Sequence, residues 1–268
     1  MLKDITLGQY FPGNSIAHKL DPRTKILLVT LYIIALFSAK GWMGYAVMAV
    51  TLAACVKVSH VGLRALVRGL KPLVFIIAFT GILNMFFTPD THYLWEWGIL
   101  RVSVKGIENA LFMVIRIMLL VMGTFLMTYT TSPIRLTDGL ESLLNPLKKI
   151  HVPVHELAMM MAIALRFIPT LIEETDKIMS AQKARGADFE SGNIFQRAKA
   201  LVPILVPLFI SAFRRADELA TAMECRCYHG GEGRTALHVL RYKTADYLAL
   251  VAFLAFTVGI IVLKHLGL

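Results

Sequence analysis

Five stretches of the chain are almost free of charged side chains, and each is close to the length of a membrane-spanning helix. A helix needs about 20 mainly apolar residues to cross the hydrocarbon core of a bilayer. We therefore predict an all-α membrane protein with about five transmembrane helices. The first two stretches are short and are separated only by Lys40 and Gly41, so one bent element or a shallow hairpin is the alternative to two crossings. The stretches are residues 26–39, 41–56, 72–88, 110–131 and 247–263.

Basic residues in the loops predict how the chain is oriented, because short cytoplasmic loops are enriched in Lys and Arg. They cluster before the first stretch and between the second and third, which makes both regions cytoplasmic. With five crossings, the N-terminus is then inside and the C-terminus outside. We predict a transmembrane bundle of about four helices at residues 1–133, a cytoplasmic section at 134–243 and a last transmembrane helix at 244–268. The clustered basic residues are Lys3, Lys19, Arg23, Lys25, Lys57, Arg64, Arg68 and Lys71.

The cytoplasmic section combines many charges with apolar residues at helical spacing, which indicates long amphipathic helices. One helix is predicted from Pro153 to about Arg185, kinked or divided at Pro169. A second is predicted from about Pro203 to about Arg226. Because prolines and charges interrupt their apolar runs, we expect buried or interfacial helices rather than full crossings.

Several functions are disfavoured by the composition and by missing motifs. The net charge of +10 sits beside apolar stretches, where membrane topology explains it better than binding of nucleic acid does. The chain has no G-x-x-x-x-G-K-[ST] loop, no H-E-x-x-H and no G-x-S-x-G motif. We therefore expect no catalytic residues and no cofactor, and we expect any energy to come from a partner.

Arg185 and Arg226 stand at the predicted ends of the two long helices. Small neighbours allow a helix end to enter a groove on another protein, where a guanidinium can grip a carboxylate with two hydrogen bonds. The alternative is that an arginine near a helix C-terminus only complements the helix dipole. The small neighbours are Ala184, Gly186, Cys225 and Cys227.

Three sequence motifs resemble the transmembrane (T) component of energy-coupling factor transporters. They are residues 20–25 (LDPRTK), 165–169 (LRFIP) and 181–188 (AQKARGAD), and the likeness covers nearly the whole chain in length, hydropathy and motif order. The resemblance implies two Ala-Arg-Gly-type motifs, each docking in a groove of one of two ABC-type ATPase subunits. The first motif would be Ala184, Arg185 and Gly186; the second would be Cys225, Arg226 and Cys227, in which cysteine replaces both small neighbours.

The resemblance also implies a function and partners. The chain would transmit ATP-driven motion to a membrane-embedded substrate-binding (S) subunit in the bacterial cytoplasmic membrane, for uptake of a vitamin or metal ion. Two alternatives stay open: a membrane-embedded enzyme, such as a transferase acting on lipid-linked substrates, and a self-contained secondary carrier. Turnover of a substrate by the isolated chain would favour the enzyme, and proton-driven uptake by the isolated chain would favour the carrier.

Two further features are candidates for contacts with other subunits. Arg116 lies inside an apolar stretch, where a charge is costly unless it is paired or reaches the headgroups. Met159, Met160 and Met161 are consecutive; flexible thioethers suit a surface that accepts different partners, although they are equally ordinary core filler.

A metal site is the weakest of the candidates. Cys225, Cys227 and His229 supply three suitable ligands in a C-x-C-x-H pattern, with Glu224 as the further candidate. A closed zinc site needs four ligands. We therefore predict that the chain holds no metal.

Overall fold

The computed structural model describes residues 10–88, 93–97, 100–189, 191, 193–230 and 239–265. Its regular structure is almost entirely helical. The described parts separate into two compact units, formed by residues 8–142 with 240–268 and by residues 143–239. They are called the bundle unit and the paired-helix unit below.

Most helices belong to the bundle unit, to which α7 contributes all but its last two residues. A 3-10 turn, Lys71–Leu73, joins α4 to α5, and an antiparallel pair of strands, β1 (Tyr93–Trp97) and β2 (Leu100–Ser103), precedes α6. The helices are α1 (Ile16–Lys19), α2 (Pro22–Ser38), α3 (Gly41–Ser59), α4 (Leu63–Leu70), α5 (Val74–Phe87), α6 (Val104–Thr130), α7 (Pro133–Leu144) and α10 (Thr244–His265).

The paired-helix unit is built from two long helices. A 3-10 helix, Asn145–Ile150, leads into α8 (Val154–Ala184), and α9 (Ile194–Cys225) follows after a short connection. α8 and α9 pack against each other.

The core of the bundle unit forms where α2, α3, α4 and α6 meet. Leu36, Met48 and Leu66 are fully buried there. Gly123 on α6 lets the ring of Tyr32 approach so closely that a Cβ at this position would collide with it. The Tyr32 hydroxyl donates a hydrogen bond to the Leu119 carbonyl at 3.0 Å, so the buried polar group is satisfied.

Six described helical segments are long and apolar enough to cross a membrane, judged by length and composition. They include four of the five predicted stretches, together with α8 and most of α9, while α2 has 17 residues. Apolar side chains on these helices face outward, as Phe75 on α5 does with 79% of its surface exposed. An outward apolar face is the pattern of helices bathed in lipid, and the chain is a multi-pass, all-α membrane protein.

The structure bears on two of the alternatives left by the sequence. Residues 26–38 and 41–56 lie in separate helices with a break at Ala39 and Lys40, so they do not form one continuous helix, and two crossings stay a prediction. α8 runs through Pro169 without being divided. The predicted start of α9 near Pro203 is wrong, because the helix begins nine positions earlier at Ile194.

A capping arrangement explains the early start of α9. The side chain of Gln196 accepts a hydrogen bond from the backbone N–H of Asn193 at 3.1 Å, which is one half of a capping box. The helix continues through residues 194–202, and Pro203 and Pro207 both lie inside α9. The capping contact of Asn193 and Gln196, and not Pro203, therefore marks the start of α9.

Asp246 joins the starts of two helices in the bundle unit. One carboxylate oxygen accepts the backbone N–H of Asp21, the N-cap residue of α2, at 2.8 Å. The other accepts the backbone N–H of Lys243, the residue before α10, at 2.8 Å. A single buried carboxylate thus satisfies N-terminal donors of α2 and α10, which are far apart in sequence.

The two basic residues of the LDPRTK segment have structural roles beside Asp246. The Arg23 guanidinium donates to the Leu240 carbonyl at 2.8 Å, and the buried Lys25 ammonium donates to the Thr130 carbonyl at 2.9 Å and to the Thr131 hydroxyl at 3.1 Å. These contacts tie α2 to the segment before α10 and to the end of α6.

Candidate functional site

The C-terminal end of α8 is closed by a complete Schellman motif. The N–H of Gly186 donates to the Lys183 carbonyl and the N–H of Ala187 to the Gln182 carbonyl, both at 3.0 Å. Gly186 has φ +86°, in the left-handed region that such a cap requires and that glycine adopts without strain. Arg185 is the C-cap residue, immediately before the turn.

The end of α9 has the same construction. The N–H of Cys227 donates to the Glu224 carbonyl at 2.8 Å and the N–H of Tyr228 to the Met223 carbonyl at 3.0 Å. Arg226 therefore occupies the position that the first arginine has in its own cap. The residue after it is left-handed again, with φ 56° at Cys227.

Cysteine is an unusual choice for a left-handed cap. A side chain with a Cβ pays about 1–2 kcal/mol in this conformation, a cost that Gly186 avoids in the first motif. In the sequence, Cys227 follows Arg226 as Gly186 follows Arg185, but nothing in the sequence signals that Cys227 has a positive φ. The two tips thus share a backbone shape that their residues alone do not reveal.

Both arginines are presented to the surroundings. Their side chains are exposed, and neither guanidinium makes an ion pair or side-chain hydrogen bond with another described residue. The thiols of Cys225 and Cys227 are exposed as well. A rigid backbone cap with an exposed arginine is therefore found at each tip.

An ion pair joins α8 to α9 at matching distances from the two tips. The Arg215 guanidinium lies 3.0 Å from the Glu174 carboxylate. Glu174 precedes Arg185 by 11 positions, and Arg215 precedes Arg226 by 11 positions. At 1.5 Å per residue, each arm from the ion pair to its tip is about 16 Å long.

The two helices run in opposite directions. Eight positions after Glu174, Gln182 is within hydrogen-bond distance of the Pro203 carbonyl at 3.5 Å, and Pro203 lies before Arg215 in α9. The two tips therefore lie on opposite sides of the ion pair, at most about 33 Å apart. That span is enough for each tip to contact a different protein.

Matches to known proteins cover nearly the whole chain. A family model described as cobalt transport protein (CbiQ) matches residues 13–237. Energy-coupling factor transporter transmembrane proteins (EcfT) are similar throughout. That of Ruminiclostridium cellulolyticum is 52% identical over 99% of both chains, and that of Thermosediminibacter oceani is 54% identical over 99% of this chain and all of its own. The EcfT of Bacillus subtilis is 46% identical over 95% of this chain and 96% of its own.

The chain belongs to the EcfT family. The resemblance read from the LDPRTK, LRFIP and AQKARGAD segments is thereby confirmed. The members compared carry the name of a transporter transmembrane component, and this chain is such a component of an energy-coupling factor transporter.

Arg116 of this EcfT-family chain is held inside the bundle unit. Its Nε donates to the Tyr45 hydroxyl at 2.8 Å, and the guanidinium carbon lies 5.7 Å from the ring centroids of both Phe37 and Tyr45. Aromatic faces and a hydroxyl thus stabilise the charge at membrane depth. The partner Tyr45 could not be found from the sequence, because it is 71 positions away. A role for Arg116 in subunit contact stays a prediction.

The methionine run lies on the N-terminal half of α8. Met160 is 55% exposed, and its neighbours Met159 and Met161 are half-buried. At least one thioether is therefore available to a partner of the EcfT-family chain, while the other two contribute partly to packing.

The C-x-C-x-H pattern makes no ligand cluster in the described chain. No group of three or more His, Cys, Asp or Glu side chains comes together there in a way that could hold a metal ion. The Nδ1 atom of His229 instead lies 2.8 Å from the Cys227 carbonyl oxygen. This contact continues the turn that follows the second tip.

Proposed function

We propose that this EcfT-family chain transmits ATP-driven motion from two cytoplasmic ABC-type ATPase subunits to a membrane-embedded substrate-binding (S) subunit, for uptake of a vitamin or metal ion. One observation carries the proposal: two helices of one unit end in the same Schellman cap with an exposed arginine at the same position. A repeated tip suits two copies of one kind of partner. The names of the relatives, energy-coupling factor transporter transmembrane proteins, support the same reading.

The chemistry of each tip suits docking into a protein groove. The Schellman cap satisfies two of the four terminal carbonyls of each helix internally, so fewer carbonyls lose a hydrogen bond to water when the helix end enters a groove. The planar guanidinium of Arg185 or Arg226 then offers a fork to a carboxylate in the groove. Ala184 and Gly186 at the first tip, and the thiols at the second, leave room for a close approach.

Contact between α8 and α9 supports the transmission of motion. The Glu174–Arg215 ion pair ties the helices at a point midway between the tips. When the ATPase subunits close on nucleotide, a push on both tips would move the pair as a body, a change of the kind that packed helices support. Met159, Met160 and Met161, on the N-terminal half of α8, are the surface that we assign to the S subunit.

The topology that serves this function has the N-terminus inside and the C-terminus outside the bacterial cytoplasmic membrane. Residues 134–243 then lie on the cytoplasmic side, between the bundle at 1–133 and the last helix at 244–268. Although α8 and α9 are long enough to cross a bilayer, their second halves carry Glu173, Glu174, Arg214 and Arg215, which would be costly at its centre. We therefore assign both helices to the cytoplasmic surface, where the ATPase subunits are, and assign ATP hydrolysis to those subunits alone.

The experiment that tests the proposal is charge reversal at the first tip. Arg185→Glu should lower the affinity for the nucleotide-binding subunits by about 30-fold or more, because losing a docked charge pair costs at least about 2 kcal/mol of binding free energy. Co-purification of the nucleotide-binding subunits with the chain measures this loss. Lys183→Glu is the matched control, because Lys183 also complements the dipole of α8 but is not at the cap.

Three results would count against the proposal. Equal weakening by Lys183→Glu would mean that the arginine serves only the helix dipole. Normal association and uptake with Arg185→Glu and Arg226→Glu combined would mean that the tips are not the docking sites. Turnover of a substrate by the purified chain alone would instead favour a membrane-embedded enzyme.

A further inference from the structure

A cavity of about 740 Å³ opens in the bundle unit beside the turn between α3 and α4. One wall is formed by residues 11–15 with His18, and the opposite wall by residues 59–62 with Arg64 and Arg68. The first wall is fixed in place, since His18 is within hydrogen-bond distance of the Ser15 hydroxyl (2.6 Å) and the Phe11 carbonyl (3.0 Å). The cavity is therefore built by two ordered segments.

The position of the cavity puts it at a membrane surface. α3 is a candidate membrane span that ends at Ser59, and the next candidate span begins at Leu63. A turn of three residues between two such spans has to lie at one face of the bilayer. The cavity beside this turn is thus within reach of lipid headgroups, whichever side of the membrane that face is on.

The cavity has an uncompensated positive charge. Arg64 and Arg68 are four positions apart and so lie on one face of α4. Both are exposed, and neither is paired with another residue in the described part of the chain. No carboxylate of the described residues lines the cavity, and the chain has no Asp or Glu between Asp21 and Asp90. Among the described residues, an anion entering here meets two guanidinium groups without a competing acid.

The start of α4 adds backbone donors to the same place. Gly62 is the N-cap residue, and it provides no side-chain acceptor for the first N–H groups of the helix. Free N–H groups at a helix N-terminus favour a bound anion. Gly62 and Arg64 both line the cavity, so the donors and the guanidinium groups are close together.

The remaining faces of α4 distinguish a lipid from a soluble anion. Leu66 and Leu70 are buried against the bundle, which fixes the rotation of the helix. Leu63 and Val67 are instead 64% and 57% exposed, and each directly precedes one of the arginines. An acyl chain can lie along this exposed apolar row while its phosphate lies at the arginines, whereas a soluble phosphate would leave the row uncovered.

We propose that this cavity binds the headgroup phosphate of an anionic phospholipid between Arg64 and Arg68, with an acyl chain of the lipid lying along Leu63 and Val67. The inference does not rest on the coupling function, because it concerns the bundle unit alone. Such a lipid would fix α4 at the membrane surface.

The test is native mass spectrometry of the full chain in a neutral detergent, titrated with dioleoylphosphatidylglycerol. A neutral micelle has no surface potential, so only local contacts attract the lipid. Arg64→Gln combined with Arg68→Gln should weaken binding by about 30-fold, from about a five- to sixfold loss for each basic contact. Both side chains are exposed and unpaired, so circular dichroism should show an unchanged helix content.

The matched control is Lys57→Gln combined with Lys71→Gln. It removes the same charge from the same region, but neither lysine lines the cavity, and binding should change by less than about threefold. An equal loss in the control would overturn the proposal. Dioleoylphosphatidylcholine binding as tightly as the anionic lipid would do so too, as would complete competition by glycerol 3-phosphate, which would show a site for soluble anions.

Discussion

Replacement of Asp246 by alanine should destabilise the bundle unit by about 3–6 kcal/mol. Asp246 is 1% exposed, and its two oxygens accept the N–H groups of Asp21 and Lys243 at 2.8 Å each. A hydrogen bond to a charged group contributes about 1.5–3 kcal/mol, and buried donors left without an acceptor keep that cost because water cannot replace the carboxylate. Asp246→Asn keeps one acceptor oxygen and should lose about half as much.

Unfolding in mixed micelles of dodecyl maltoside and sodium dodecyl sulfate measures this loss through tryptophan fluorescence. Asp217→Ala is the control, since it removes an exposed carboxylate from α9 and should change stability by no more than about 0.5 kcal/mol. The expected order of stability is wild type with Asp217→Ala, then Asp246→Asn, then Asp246→Ala. If Asp246→Ala unfolded at the same detergent fraction as Asp217→Ala, the double-capping role would be refuted.

Two further predictions concern glycine positions. Cys227→Gly should remove the strain of the left-handed conformation at the second tip, and Gly186→Ala should introduce it at the first. Each change should alter the stability of the cap by about 1 kcal/mol. Hydrogen exchange of the last-turn amides should then become about fivefold slower in Cys227→Gly and about fivefold faster in Gly186→Ala. Similar exchange at both tips in all variants would contradict the assigned caps. Gly123→Ala should lower the unfolding free energy by about 1–3 kcal/mol, because its methyl group collides with Tyr32. Gly259→Ala, inside α10, meets nothing within 4 Å and should not lower the unfolding free energy in the same assay.

Helix existence could be read from the sequence more reliably than helix boundaries. The apolar stretches correspond to helices because a bilayer leaves the backbone few other ways to satisfy its polar groups. The start of α9 differs from the prediction because the Asn193 and Gln196 pair caps the helix ahead of Pro203, which then lies inside it. Pro169 did not divide α8, since packing of a long helix can outweigh the loss of one hydrogen bond.

Part of the candidate site can be predicted from the sequence. Arg185 and Arg226 are predicted as candidates because an arginine between small residues at a helix end is a local sequence pattern. The left-handed conformation of Cys227 has no such signal, because cysteine seldom adopts it. The partners of Arg116 and Asp246 depend on contacts across 71 and 225 positions, which only the fold reveals.

The central claim is that the two arginine tips contact two nucleotide-binding subunits. It is tested most directly by placing a photo-reactive residue at Ala184 or at Cys225, the equivalent last helical positions of α8 and α9, and irradiating native membranes. We expect each position to form a covalent adduct with a nucleotide-binding subunit, and a chain carrying both residues to capture two of them. Adducts with lipid alone at both positions, in a chain that still supports uptake, would contradict the account.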